Sequence, residues 1–251
     1  MEYITSLKNP KIQTWKSLKD RKGRRETGCF LVEGRKMVEE AIASAFSVEA
    51  VLVDADRQAE FMLPDGVYTV TMPSHVLAAV CDTKTPQGIA AVVRLQDTPV
   101  TGSRLVALDG VQDPGNVGTI IRTADAAGFE GVLLSGQCAD VFSPKVLRAT
   151  MGSIFRMGVR VTEDLPGLLS SLRDEGFSII SSQLDGTPFY GMASAGERYA
   201  LVIGSEGNGV TDEVKALATH RVKLPMRGGA ESLNAAVAAG IMMYELTREL
   251  E

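Results

Sequence analysis

The sequence predicts an α/β protein with two parts: a small α/β domain, and a larger C-terminal domain with a mostly parallel sheet covered by helices on both faces. Short apolar runs alternate with helix-length segments along most of the chain, which is typical of parallel sheets. A stretch rich in structure breakers, Gln96–Ser103, separates two such series, and the second ends in loops rich in Gly, Pro, Ser and Asn. Loops of this kind at strand ends favour a small-molecule pocket.

Composition sets the class of protein. With 251 residues, 45% apolar and 23% charged, the chain can bury the core of one large or two small domains. Its longest apolar run, Ala235 to Tyr244, is about half of what a membrane span needs, and the Met1-Glu-Tyr start lacks a signal pattern. We therefore expect a cytoplasmic protein with no membrane partner.

The cysteines and histidines do not favour a metal site. Cys29, Cys81 and Cys138 are far apart, no Cys-x-x-Cys pair occurs, and the chain has two histidines. This spacing predicts neither a zinc site nor a disulfide framework. Each cysteine is interpreted as a small buried apolar residue.

The first forty residues are basic although the whole protein has a net charge of −5. They carry ten Lys or Arg against six Asp or Glu, a net charge of +4 that leaves −9 on the remainder. Such a segment favours a polyanionic partner, with a solvated helix face as the alternative. The candidate contacts are Lys8, Lys11, Lys19, Lys22, Arg24 and Arg25.

The first domain is predicted over residues 1–97. Its first helix follows Asn9-Pro10, runs over Lys11–Lys22 and ends at Gly23. Trp15 on its apolar face is either a core residue or a stacking platform for a nucleobase. Four strands then alternate with helices: strands at Cys29–Val32, Val48–Val53, Val67–Thr71 and Ile89–Leu95, helices at Gly34–Ala45, Gln58–Met62 and from Pro73 through Cys81.

A linker is predicted at 98–103 and the second domain at 104–251. Its strands are predicted at Leu105–Leu108, Gly131–Ser135, near Val159, Phe177–Ser182, Tyr199–Ile203 and Val222–Leu224. Its helices are predicted at Asn116–Ala127, from Pro144, Leu165–Asp174, Asp212–Ala218 and Leu233–Glu249. The last helix is apolar nearly all round, so it is buried either in the core or at a subunit contact.

Three loops of this domain carry the candidate chemistry. In the first, Asp113-Pro-Gly turns the chain and Asn116 occupies the expected helix N-cap. Arg122 lies about 9 Å further along the helix axis, and its fork of donors suits a phosphate or a ribose. A cap and a surface arginine are the alternative interpretation.

The second loop is Gly204-Ser-Glu-Gly-Asn-Gly209, after an apolar strand. Its glycine spacing differs from the dinucleotide-binding fingerprint, and the chain has no Walker-type loop. The backbone can approach a ligand closely here, with Glu206 as the one charge in the turn.

The third loop joins Leu224-Pro-Met226 to Ser232-Leu-Asn234. Ser232 can cap the final helix. Asn234 offers donors and acceptors towards the other loops.

In order and spacing, these loops resemble the three motifs of the SpoU (TrmH-like) branch of the SPOUT RNA methyltransferases. The resemblance covers roughly Leu105 to Leu250 and rests on Asn116 with Arg122, on Ile203-Gly-Ser-Glu-Gly207, and on Leu224-Pro-Met226 with Ser232-Leu-Asn234. The first half resembles the substrate-binding domain of ribosomal RNA members through Lys8-Asn-Pro-Lys11 and Phe30-Leu-Val-Glu-Gly34.

The resemblance implies methyl transfer from S-adenosylmethionine to a ribose 2′-hydroxyl of structured RNA, by a homodimer with a C-terminal trefoil knot and no metal. It implies a reaction centre formed by Arg122, Asn116, Glu206, Ser232 and Asn234. It also implies a cofactor site at Ile203, Gly204, Glu206, Gly207, Leu224, Met226, Ser232 and Leu233.

Large-subunit ribosomal RNA is the preferred substrate, because an appended domain of this type accompanies that substrate in the family. Transfer RNA is the alternative for an enzyme, and a catalytically silent RNA-binding protein of the same fold is the alternative outside enzymes. A sulfonium donor already activates the methyl group, so the reaction needs positioning more than a metal. Because arginine stays protonated, Arg122 is interpreted as a phosphate ligand and alkoxide stabiliser instead of a base.

Overall fold

The computed structural model describes residues 2–96, 98–190, 192 and 194–248. Within them the strands are β1 (Glu2–Tyr3), β2 (Cys29–Glu33), β3 (Val48–Asp54), β4 (Thr69–Met72), β5 (Ile89–Arg94), β6 (Arg104–Asp109), β7 (Gly131–Ser135), β8 (Gly158–Thr162), β9 (Ser178–Pro188), β10 (Tyr199–Gly204) and β11 (His220–Lys223). The α-helices are α1 (Pro10–Ser17), α2 (Arg21–Thr27), α3 (Arg35–Ala43), α4 (Ser74–Val80), α5 (Pro114–Ala126), α6 (Pro144–Thr150), α7 (Leu165–Asp174), α8 (Asp212–Leu217) and α9 (Ala235–Leu246). In this part of the chain no helix has the length and hydropathy of a membrane span.

The chain divides into two compact units. The first contains Met1–Gln96 and Phe142–Arg156, and the second contains Asp97–Val141 and Met157–Glu251. The sequence predicted a continuous second domain over 104–251, whereas residues 142–156 group with the first unit. The predicted linker, 98–103, groups with the second. Predicted limits at Met1, Asp97, Glu249, Leu250 and Glu251 lie outside the described residues.

The first unit is a five-stranded sheet in the order β1-β4-β3-β5-β2. The sequence did not predict β1, which pairs with β4 through two residues. Segment 142–156 covers this unit's β2, since the Phe142 and Phe155 rings lie 4.8 and 6.3 Å from the ring of Phe30. Trp15 is 8% exposed and belongs to the core, so it is not a stacking platform.

The predicted helix over Lys11–Lys22 is two helices. Asn9 caps α1 by accepting a hydrogen bond from the Lys11 backbone, and α1 ends at Ser17. Gly23, which was predicted to end the helix, lies inside α2, where a Cβ would sit 2.1 Å from the Ser17 carbonyl oxygen. Glycine here lets the two helices approach closely.

The second unit confirms the predicted parallel sheet. Its strands follow the order β11-β9-β10-β6-β7-β8, and every neighbouring pair is parallel. Leu105 and Ala107 of β6 pack in a cluster that includes residues of α7 and α8. The alternate residues Val106 and Leu108 are fully buried too, so both faces of the sheet are covered.

β9 is longer than the predicted strand over Phe177–Ser182. Ser181 pairs with Arg221 of β11 but Thr187 pairs with Val222, so residues 182–186 have no partner on β11. We call these five residues the β9 bulge. Gly186 closes it, because a Cβ there would lie 2.6 Å from the Val222 backbone.

The three cysteines are free thiols. Cys81 is 2% exposed, and burial raises the pKa of its thiol to about 12. Cys29 and Cys138 are half-buried, and burial raises the pKa of each thiol as well. The interpretation as a buried apolar residue fits Cys81 best.

Candidate active site

A cavity of about 710 Å³ opens at the carboxyl ends of β10 and β11, beside the β9 bulge. A volume of this order suits a nucleoside-sized ligand. The eight residues predicted for the cofactor all line it: Ile203, Gly204, Glu206, Gly207, Leu224, Met226, Ser232 and Leu233. The chain therefore brings the second and third loops together around one space, although the loops are about twenty residues apart.

The Gly204–Gly209 loop is a closed backbone turn. Ser205 and Gly209 exchange two backbone hydrogen bonds of 2.9 and 3.0 Å. A Cβ on Gly204 would lie 2.1 Å from the Gly209 carbonyl carbon, so the turn forms only around a residue without a side chain. Such a turn leaves backbone groups open to a ligand, which fits the methyl donor implied by the resemblance.

A buried carboxylate holds the far end of this turn. Asp109, 5% exposed, accepts hydrogen bonds from the backbone nitrogen and the hydroxyl of Thr211, at 2.7 and 2.8 Å. Thr211 precedes α8, so the end of β6 fixes the position at which the chain leaves the turn.

Three predicted catalytic residues form a hydrogen-bonded chain beside the cavity. Asn116 donates from Nδ2 to Oε1 of Glu206. Asn234 donates from Nδ2 to Oδ1 of Asn116 at 2.9 Å. The amide of Asn116 is therefore held from both sides, by residues from the other two loops.

Both predicted helix caps are corrected. The N-cap of α5 is Asp113, whose carboxylate accepts from the Asn116 backbone at 2.9 Å, so Asn116 lies inside the first turn. The N-cap of α9 is Asn234 instead of Ser232, and its Oδ1 accepts from Ala236 and Val237. Because Asp113 serves as the N-cap of α5, the Asn116 side chain is available for the site.

The other two predicted catalytic residues are placed differently. Ser232 is exposed and lines the cavity. Arg122 is exposed on α5, away from the buried residues Val117 and Ile121, and does not line the cavity. Within the described residues it makes no hydrogen bond or ion pair, so its guanidinium is open to an external anion.

The sequence interpretation missed one wall of the cavity. The β9 bulge contributes Ser182, Gln183, Leu184 and Asp185, and two lysines, Lys215 and Lys223, also line the space. Asp185-Gly186 after an apolar strand was a visible turn signal. The pairing that leaves the bulge free of β11 is a tertiary property.

The candidate RNA contacts of the first unit fall into two groups. Arg24 is corrected: it is 4% exposed and its guanidinium donates to the Leu18 and Lys19 carbonyl oxygens at 2.8 Å, so it holds the turn between α1 and α2. The ammonium group of Lys19 donates to the carbonyl oxygen of Ala79 at 2.8 Å. Lys8, Lys22 and Arg25 are exposed.

Lys11 is engaged within the first unit. Its ammonium group lies 2.6 Å from Glu2 and 2.8 Å from the Tyr68 hydroxyl. The hydrogen bond to Glu2 raises the pKa of Lys11, and the same bond lowers the pKa of Glu2. Both groups are exposed, so the pair is weak and screened by salt.

Comparison with known families matches both halves of the chain. Residues 103–244 match the SpoU rRNA Methylase family. Residues 9–91 match the MRM3-like substrate binding domain.

Whole-chain comparisons point the same way. The chain is 40% identical to the 23S rRNA (guanosine(2553)-2′-O)-methyltransferase RlmP of Bacillus subtilis, over 98% of this chain and 99% of that protein. A TrmH-family RNA methyltransferase structure from Porphyromonas gingivalis matches with a TM-score of 0.88 and 36% identity, over 97% and 99% of the two chains. An AdoMet-bound rRNA methyltransferase structure from Sinorhizobium meliloti matches with a TM-score of 0.88 and 32% identity, over 100% and 98%. The chain therefore belongs to the SpoU rRNA methylase family and is an S-adenosylmethionine-dependent RNA methyltransferase.

Proposed function

We propose that this protein methylates a ribose 2′-hydroxyl of large-subunit ribosomal RNA. The observation that carries the proposal is the hydrogen-bonded chain from Glu206 through Asn116 to Asn234, at the wall of a cavity lined by every predicted cofactor residue. The substrate class is supported by the 23S rRNA named for the Bacillus subtilis relative. A cytoplasmic location is part of this proposal.

The chain's own residues orient the substrate. The donor supplies a methyl group already activated by its positive sulfur, so the enzyme has to place the hydroxyl in line with it. Glu206 uses Oε1 for Asn116, and its Oε2 has no partner among the described residues. This oxygen can accept the hydrogen of the ribose hydroxyl. Arg122 is left to hold a substrate phosphate and to stabilise the developing negative charge.

Mapping of 2′-O-methyl groups tests the substrate. Ribosomal RNA from a deletion strain should lack one 2′-O-methyl group that returns when the gene is restored. The purified enzyme should methylate unmodified ribosomal RNA, and a 2′-deoxy substitution at the mapped position should abolish the reaction. Loss of a methyl group from transfer RNA alone would favour the transfer-RNA alternative. Failure to bind S-adenosylmethionine would favour a silent RNA-binding protein.

RNA contact by the exposed cations of α2 gives a direct prediction. We expect the double variant Lys22→Gln/Arg25→Gln to bind RNA more weakly. The slope of log K against log salt should be shallower by about 1.4–1.8, because each of two lost phosphate contacts removes ~0.7–0.9 from it. Filter binding across a salt series measures this slope. Arg173→Gln, an exposed charge change in α7, serves as the control. An unchanged slope in the double variant would remove α2 from the RNA interface.

The homodimer and the knot are part of the proposal. On α9, three exposed apolar residues, Val237, Ile241 and Tyr244, share the face opposite the buried one. Their spacing makes one stripe, which a second copy of the chain can cover. The chain also returns from β11, at one edge of the sheet, to Asn234 beside Asn116, three strands away. The returning segment forms part of the cavity wall. Its path across the sheet supports the proposal of a trefoil knot.

The dimer predicts that Ile241→Asp yields a monomer at micromolar concentration, because burying a carboxylate against an apolar stripe is costly. Sedimentation velocity measures the mass. Ala216→Asp, an exposed position on α8, should leave the mass unchanged. If the wild-type protein itself sediments as a monomer, the proposed dimer is wrong.

A further inference from the structure

The β9 bulge places one buried amide at the cavity. Gln183 lines the cavity and is 8% exposed. Its Nε2 donates to the hydroxyl oxygen of Ser181 at 2.9 Å, and Ser181 is fully buried. This bond fixes the direction of the amide and turns Oε1 away from Ser181.

Gln183 Oε1 accepts no hydrogen bond from any described residue, yet it is not sealed from solvent. Because so little of the side chain is exposed and it lines the cavity, the cavity is the space that this oxygen faces. A ligand that fills the cavity removes solvent from this oxygen, and leaving the oxygen unpaired would then cost free energy. A ligand that donates a hydrogen bond to it is therefore favoured. The bulge thus presents an acceptor to the bound ligand.

The position in the sheet separates this acceptor from the reacting groups. Asn116 follows β6 and Glu206 follows β10, whereas Gln183 belongs to β9, on the other side of β10. Strands are spaced by about 4.8 Å, so β6 and β9 lie about 10 Å apart. Gln183 lies one strand from Glu206 and two strands from Asn116, so we place it towards one end of the methyl donor.

The donor has two ends with different chemistry. The methionyl end carries an ammonium and a carboxylate, which need charged partners or solvent. The adenine end carries a neutral 6-amino group, which donates a hydrogen bond, and flat apolar faces. The apolar residues Leu224, Pro225 and Met226 line the same cavity, and they suit a base.

We propose that Gln183 is a specificity-determining residue whose Oε1 accepts a hydrogen bond from the 6-amino group of the donor's adenine, with Ser181 as its positioning residue. The inference rests on the proposed use of S-adenosylmethionine in this cavity. It assigns to the β9 bulge the selection of adenine over other purines.

Binding of two probes by calorimetry tests the assignment. The probes are S-adenosylhomocysteine and its analogue with hydrogen in place of the 6-amino group. The wild-type protein should bind the first at least ~10-fold more tightly, because the analogue leaves a buried acceptor unpaired. In Gln183→Leu this preference should fall to within about twofold, while Gln183→Glu, which keeps an acceptor, should retain it.

Controls separate this role from a general defect. Thr187 is in β9, like Gln183, but does not line the cavity. Thr187→Val removes a hydrogen bond to the carbonyl oxygen of Arg221 in β11 and should keep the wild-type preference. Far-UV circular dichroism and thermal melting establish that each variant is folded. An undiminished preference in folded Gln183→Leu overturns the proposal, and so does equal binding of both probes by the wild-type protein. Binding of neither probe by the wild-type protein overturns the proposed function as well.

Discussion

Gly204→Ala should reduce the affinity for S-adenosylmethionine at least ~30-fold, because fitting a side chain into occupied backbone space costs about 2 kcal/mol or more. The added Cβ would lie 2.1 Å from the Gly209 carbonyl carbon and 2.2 Å from the Val210 nitrogen. Neither atom belongs to a flexible side chain, so the turn itself must open. Calorimetric titration with S-adenosylmethionine measures the loss.

Gly207 supplies a matched control three residues along the same loop. A Cβ at Gly207 would meet no atom within 4 Å, and its backbone is outside the left-handed region. We expect Gly207→Ala to weaken donor binding by less than about fivefold, since an accommodated alanine needs no backbone shift. Equal losses of affinity in the two variants would mean that any added side chain in the loop blocks the ligand, and that the closed turn at Gly204 is not the cause.

Secondary structure was largely predictable from the sequence, because apolar periodicity and breakers act locally. The predicted helix over Leu165–Asp174 matches α7, and the strands of the second unit other than β9 were predicted to within a few residues. The break between α1 and α2 was missed. In the sequence Gly23 indicates the end of a helix. In the structure it leaves space for Ser17 of the neighbouring helix, and this is a tertiary contact.

The loops that form the candidate site could be predicted from the sequence, but the arrangement of their side chains could not. Ordered motifs indicated which loops meet. The cavity unites residues of the second and third loops, and Asn116 of the first loop joins them through hydrogen bonds. The caps were misassigned because each helix start offers two good N-cap residues, Asp113 or Asn116 for α5 and Ser232 or Asn234 for α9. Local preference does not decide which one the chain uses. The β9 bulge depends on the register of β9 against β11, and register over a buried strand is set by long-range packing.

Charge was the least reliable guide. Arg24 and Lys19 belong to the same basic segment as Lys22 and Arg25, yet the first two bind carbonyl oxygens of their own unit. A basic run contains cationic side chains that bind the protein's own carbonyl groups and others that are open to an external ligand. Only their burial in the structure distinguishes the two kinds. The net charge of the segment therefore overstates the number of phosphates that it can contact.

Asn116→Asp should lower turnover about 10³-fold at neutral pH while the affinity for S-adenosylmethionine changes less than about fivefold, because Asn116 holds Glu206, the proposed acceptor of the ribose hydroxyl, and does not contact the donor itself. The amide that donates to Glu206 becomes a second carboxylate in contact with it. Asn116 does not line the cavity, which is why donor binding is spared. Single-turnover methylation and calorimetry measure the two effects separately.

The pH dependence of the Asn116→Asp variant identifies the cause. Two adjacent carboxylates cannot both ionise freely, so the pKa of one is raised. As the pH falls towards that raised pKa, one carboxyl group regains a proton and can again donate to its neighbour. The activity of the variant relative to wild type should therefore rise with acidity, whereas Asn116→Ala, which has no group to protonate, should stay equally impaired at every pH. A flat ratio for Asn116→Asp would show that the amide acts by shape and not by donating a hydrogen bond to Glu206.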